Sequence, residues 1–363
     1  MTQTRSVSPL ETRPECARRP MGMSTTGMLV VLLILPASFR AAFSFEGQGQ
    51  TPHDSPRRTR ERVDQLLAVG KVKEALDEAA EDVIENPSSS LAHMTLGRAY
   101  LAMGEEDKAE SELKYTLALD PKSGEAYFQL GQLRLIQRKV PEAQAEFRRA
   151  IEAAPDSSPA YSVLGAILMQ LGQAAEARKL LEKAVALDPQ DVNSQYRLAV
   201  LLMDAGEAGR ATELLEEILH RQPDFIPARE QLGLGKLRKN DLEGATNEAN
   251  TIFARSPKAA EGHRLMALIL WRQRDTEGAL AECAQGLAGD PDSQAMMALQ
   301  AVGLWKWNQK KAAQQALVQA YKVQPQIIKS EVFCRLILCD ASDIPLVQDF
   351  LRKSRWVVLP PQP

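Results

Sequence analysis

Proline recurs at Pro87, Pro121, Pro155, Pro189, Pro223, Pro257, Pro291 and Pro325, each number 34 above the last. A chain that stops a helix at a fixed interval is a stack of equal units, because one globular core imposes no such period. Other positions keep the same time. With each proline as position 32 of its unit, position 20 is Ala75, Ala109, Ala143, Ala177, Ala211, Ala245, Ala279 and Ala313. Position 8 is Gly97, Gly131, Gly165, Ala199, Gly233, Ala267 and Ala301. Position 24 carries Leu113, Phe147, Leu181, Leu215 and Leu317. Two helices per unit explain the set. Small residues at 8 and 20 let the backbones approach, and large ones at 4, 7, 11 and 24 fill the space around that contact.

Position 15 should end the first helix. It is Gly70, Gly104, Gly172 and Gly206, then Asn240 and Asn308. These residues tolerate the left-handed backbone that stops a helix. Arg138 and Arg274 depart, so those two turns are expected to close under strain or with another geometry.

The pattern resembles the tetratricopeptide repeat, a helix–turn–helix unit of the same length. Gly124 to Ser157 carries the resemblance best, through Tyr127, Leu130, Gly131, Ala143, Phe147, Ala150 and Pro155, with Arg134 departing at position 11. The resemblance implies an all-α solenoid, a right-handed superhelix of helix pairs with a concave face, over residues 56–327 in eight repeats. The first unit (Thr59, Arg62), the sixth (Arg229, Lys236) and the eighth (Gln300) put polar residues at packing positions and are expected to be looser. Residues 328–363 offer two apolar faces, one through Ile328, Val332, Phe333, Leu336 and Ile337, another through Leu346, Val347, Phe350 and Leu351. They read as a degenerate ninth helix pair that caps the array, or alternatively as a contact surface.

The N-terminus reads as an address. Residues 28–36 are MLVVLLILP, with Arg18 and Arg19 upstream and Arg40 soon after. The run is too short for a membrane span of about 20 residues. It suits a signal peptide over 1–44, cut after Ser44, or an uncleaved anchor. Met21 or Met23 could be the true start, which would remove the two arginines. Residues 45–55 read as a flexible linker. The expected location is exported, periplasmic or secreted.

Charge excludes one function class. The net charge is −3, and beyond residue 44 it falls to −6, which attracts no nucleic acid. No nucleophile, dinucleotide, phosphate-loop or metalloprotease pattern occurs, so no catalytic residue, cofactor or metal is expected. His93 and His263 fall at repeat position 4 and read as core residues with one satisfied nitrogen. Cys16, Cys283, Cys334 and Cys339 show no zinc spacing. Cys334 and Cys339, five apart, would be poorly placed for a bridge within one helix.

In the repeat family, positions 2, 5, 9 and 12 of the first helices face the groove. Carried onto this sequence, that gives Met94, Arg98, Phe128, Gln132, Asn193, Tyr196, Met203, Arg264, Leu268, Trp271 and Trp305. Aromatic, Met and Arg side chains are the types that anchor interfaces. Trp271 and Trp305, one repeat apart, should stand in register there. The family's known carboxylate clamp, Lys at position 5 and Asn at position 9 of the first repeat, is absent: Arg60 and Asp64 stand there. The leading expectation is a non-catalytic scaffold binding a protein or peptide. The alternatives are an accessory subunit of an envelope assembly or secretion complex, and a carbohydrate or small-ligand module using the tryptophans.

Overall fold

The computed structural model describes residues 56–358, with side-chain surroundings to Ser354. The signal and linker segments lie outside the described residues. Helices pair in succession: α1 Pro56–Ala68 with α2 Val72–Glu85, α3 Ser90–Met103 with α4 Glu106–Leu119, α5 Gly124–Ile136 with α6 Val140–Ala153, α7 Ser158–Gln170 with α8 Ala174–Leu187. Then come α9 Val192–Asp204 with α10 Ala208–Arg221, α11 Ile226–Arg238 with α12 Leu242–Arg255, α13 Ala260–Arg272 with α14 Thr276–Gly289, and α15 Gln294–Lys306 with α16 Lys310–Val323. From Pro56 the first helices begin in strict step with the proline period, and from Val72 so do the second helices. The fold is an all-α solenoid.

The alanines at position 20 are all buried, as are Phe147, Leu181, Leu215 and Leu317 at position 24. The close approach is measurable at Gly131, where an added Cβ would lie 2.8 Å from the Phe147 ring. Phe147 is fully buried and has no room to swing away. Gly131→Ala would gain about 1 kcal/mol of helix propensity but overpack this contact, at about 1–3 kcal/mol. We expect a net loss in urea unfolding. Phe147→Leu in the same chain should recover it, since Ala199 and Leu215 already form that pair in the fifth unit.

All eight residues at position 15 adopt the same left-handed turn, from φ 59° at Arg138 to φ 84° at Gly206. Arg138 and Arg274 (φ 66°) therefore bear the strain rather than change the turn. Such a backbone costs a residue with a Cβ about 1–2 kcal/mol. Arg138 is exposed, so Arg138→Gly should raise stability by about 1 kcal/mol in urea unfolding. Arg274→Gly should lower it, because the Arg274 guanidinium donates to Asp343 at 2.9 Å and Asp340 at 2.8 Å.

Polar residues at packing positions find partners instead of leaving gaps. Arg134 donates twice to Glu110 on α4, at 2.7 and 2.8 Å. The Arg134 and Lys114 hydrogen bonds hold the Glu110 carboxyl down at about 2. Position 4 pairs repeatedly with the glutamate at position 23: His93 with Glu112 at 2.6 Å, His263 with Glu282 at 2.7 Å, Arg229 with Glu248 at 3.5 Å. His93, Tyr127 and Arg229 each also reach the carbonyl of the preceding unit's proline, Pro87, Pro121 and Pro223. Both ring nitrogens of His93 are thus engaged. Lys236, at position 11, also donates to Glu248, at 2.7 Å, so the sixth unit closes a polar cluster of three charged side chains.

Beyond Val323 the chain forms a 3-10 turn at Pro325–Ile328, a short α17 (Ser330–Leu336) and a longer α18 (Ile344–Val358). Ile327, Phe333, Ile337, Val347 and Phe350 join the core of the last units.

Candidate binding groove

The inner face shows itself in contacts between first helices. Arg98 on α3 pairs with Asp64 on α1 at 2.7 Å, and Arg60 on α1 reaches Glu125 on α5 at 2.9 Å. The second contact skips a unit, which only the inside of a curve allows. Arg98 also lies 3.7 Å from Glu125, so one concave network joins the first three units. Farther along, Arg264 on α13 donates through Nε and Nη2 to the two carboxylate oxygens of Glu230 on α11. Glu230 is 1 % exposed. Burial pushes its carboxyl up, while the Arg264 charge pulls it down.

The candidate residues divide into two groups. Phe128, Gln132, Asn193 and Tyr196 are half-buried on α5 and α9, as is Arg98. Phe128 packs edge-on against Phe147 with centroids 5.5 Å apart, and Tyr196 against Phe225 at 5.6 Å. Burial pushes the Tyr196 phenol up to about 12, so it is a neutral hydroxyl at any ordinary pH. Met94, Met203 and Leu268 are buried and serve packing.

The tryptophans depart from the expectation of an open groove. Trp271 is 1 % exposed, and its indole N–H donates to Asp343 at 3.2 Å. The Lys306 ammonium lies 5.0 Å from its ring centroid. Trp305 is half-buried and stands 5.3 Å from the Phe350 ring. The cause is the chain's own C-terminal segment. Arg272 donates to the Leu338 carbonyl at 2.7 Å, and Arg274 holds Asp340 and Asp343. The turn between α17 and α18 therefore lies against the end of α13. Sequence reading missed this contact. The only signal was the pair Asp340 and Asp343 ahead of an apolar helix, an ordinary helix-start pattern.

A recess of about 550 Å³ opens beside that turn. It is lined by Met203, Arg238, Arg272, Arg335, Cys334 and Cys339, among others. Among the described residues no group of three or more His, Cys, Asp or Glu could hold a metal ion, and no helix is long and apolar enough to cross a membrane.

Comparison with known proteins agrees with this architecture. Family models described as tetratricopeptide repeat match residues 94–158, 168–232 and 231–294, more than half of the chain. No curated protein sequence matches it. Among solved structures it is similar to YrrB, a TPR protein with an unusual peptide-binding site, at 20 % identity over 51 % of this chain and 95 % of that one, TM-score 0.46. It is similar to PilW, a widely conserved type IV pilus biogenesis factor, at 24 % identity over 56 % and 94 %, TM-score 0.47. The APC/C hetero-tetramer Cut9-Hcn1 gives TM-score 0.53 at 16 % identity, over 76 % of this chain and 54 % of that one. A strict repeat period, paired helices in register with it and these family matches together place the chain in the tetratricopeptide repeat family.

Proposed function

We propose that the protein is a non-catalytic scaffold that binds an extended peptide or protein segment along the concave face of its first six units. The observation that carries this reading is the unequal occupancy of the inner face. The last two units are covered by the chain's own C-terminal segment, whereas Phe128, Gln132, Asn193 and Tyr196 remain partly exposed. Amide side chains offer both donors and acceptors, which suits a peptide backbone. The neighbouring aromatic rings supply apolar area held in place by edge-on partners. The N-terminal apolar run supports action outside the cytoplasm, and a mature chain beginning at Phe45 would be its signature.

The test is a crosslinked pull-down with the full chain from its native cells, beside a Gln132→Ala/Asn193→Ala variant. Both sites are half-buried and polar, so the variant should fold. A partner captured by the parent and lost in the variant supports the groove. A partner retained equally by both overturns it. Glycan titration followed by tryptophan fluorescence should give no change, because Trp271 is buried and Trp305 packs against the Phe350 ring.

A further inference from the structure

We propose that Cys334 and Cys339 form a redox couple, a reversible disulfide that locks the α17–α18 turn onto α13 and exchanges with a small anionic disulfide entering the arginine-lined recess. The argument starts from the backbone. Helix α17 ends in a Schellman turn: the Cys339 N–H donates to the Cys334 carbonyl at 2.9 Å, and the Leu338 N–H to the Arg335 carbonyl at 3.4 Å. Leu338 sits between them at φ 49°. This motif brings the side chain three residues inside the helix end against the one just past it. Here both are cysteines, and both line one recess. The helix therefore stops between the two, which removes the objection to bridging residues five apart within one helix.

Two further observations assign a role. Leu338 holds a left-handed conformation that costs a bulky residue energy, so the turn gains from a covalent tie. The residues that follow are the ones that cover the inner face: Leu338 accepts from Arg272, and Asp343 from Trp271 and Arg274. A bond at the base of this turn restrains the cover. The recess supplies access. Cys334 and Cys339 line it beside Arg238, Arg272 and the exposed Arg335. The buried Arg272 Nε has no hydrogen-bond partner. Guanidinium groups at that rim suit the carboxylates of a reagent of the glutathione class.

The exchange balances without any other reactant. The Cys334 sulfur, as thiolate, attacks one sulfur of the small disulfide, whose S–S bond breaks and releases one thiol. The Cys339 thiol then gives up its proton, and its sulfur attacks Cys334 in the mixed disulfide, releasing the second thiol. Two electrons pass from the protein to the reagent. Burial, with Cys334, Asp343 and Asp340 adding to it, pushes the Cys339 thiol up.

The full chain should be equilibrated in glutathione buffers of increasing oxidation, quenched with an alkylating agent and mapped with trypsin without reduction. Cleavage after Lys329, Arg335 and Arg352 separates the cysteines. A native disulfide then appears as peptide 330–335 linked to peptide 336–352. We expect this linked pair to become the main form as the buffer is oxidised and to vanish with dithiothreitol. In Cys339→Ser, a glutathione adduct should be trapped on Cys334. Hydrogen exchange at the Cys339 and Asp343 amides should be slower in the oxidised chain. Absence of the linked pair from the folded chain at every ratio, or its formation only after denaturation, overturns the couple. Equal exchange in both states overturns the lock.

Discussion

Replacing Trp271 by alanine is expected to destabilise the C-terminal units by about 3–5 kcal/mol, the range for truncating a fully buried aromatic. The side chain is 1 % exposed and contacts both α15 and the returning segment. Its loss opens a cavity and leaves Asp343, itself 2 % exposed, with Arg274 but without the indole donor. Repeat arrays unfold as coupled neighbours rather than as one unit. The loss should therefore appear as earlier melting of residues 260–354 in urea, with hydrogen exchange protection kept around α5 to α8. Phe128→Ala on the inner face should cost much less, because Phe128 is only half-buried. A Trp271→Ala chain with unchanged unfolding and lost partner binding would return this tryptophan to an open groove and refute the covered arrangement.

Trp271 also marks the limit of what the sequence can show. The repeat period, alanine at position 20 and the proline stop are local features, and each became a helix end or a close helix contact. The left-handed turn at position 15 was legible for glycine and asparagine. For Arg138 and Arg274 the sequence allowed either a strained turn or another geometry, because the cost of strain is weighed against the whole stack, and the strained turn is the one adopted. Groove positions follow from the register, but whether they stay open does not. A tryptophan at position 12 reads the same whether a ligand or the chain's own tail covers it. The tail that does so lies 72 residues away, at Asp343. Arg134 was likewise visible only as a departure. Its partner Glu110 lies 24 residues earlier with nothing in the sequence to mark it, and the packing of α5 on α4 places them together.

The Glu230–Arg264 pair should show the second large effect, and its sign depends on which partner is removed. Arg264→Met leaves a buried carboxylate without its counter-charge, a change that costs about 3–5 kcal/mol at neutral pH. Removing both charges in Glu230→Met/Arg264→Met should bring stability back to within about 1 kcal/mol of the parent or above it, because desolvating the pair offsets much of its attraction. The pH dependence separates the two. In Arg264→Met only desolvation and the neighbouring acids act on Glu230, all raising its carboxyl. Above the ordinary glutamate value of about 4.3 the unfolded chain then ionises while the folded one keeps its proton. The unfolded state thus binds fewer protons, and stability falls as pH rises, by up to about 1.4 kcal/mol per unit. The loss continues until pH passes the raised folded value; below about 4.3 the variant regains its full stability relative to the parent. Urea midpoints between pH 4 and 8 give the test. The double variant should lack this extra slope. A single variant whose midpoint tracks the parent's at every pH would mean that Glu230 finds water or another cation, and that the inner face of α11 is open rather than sealed.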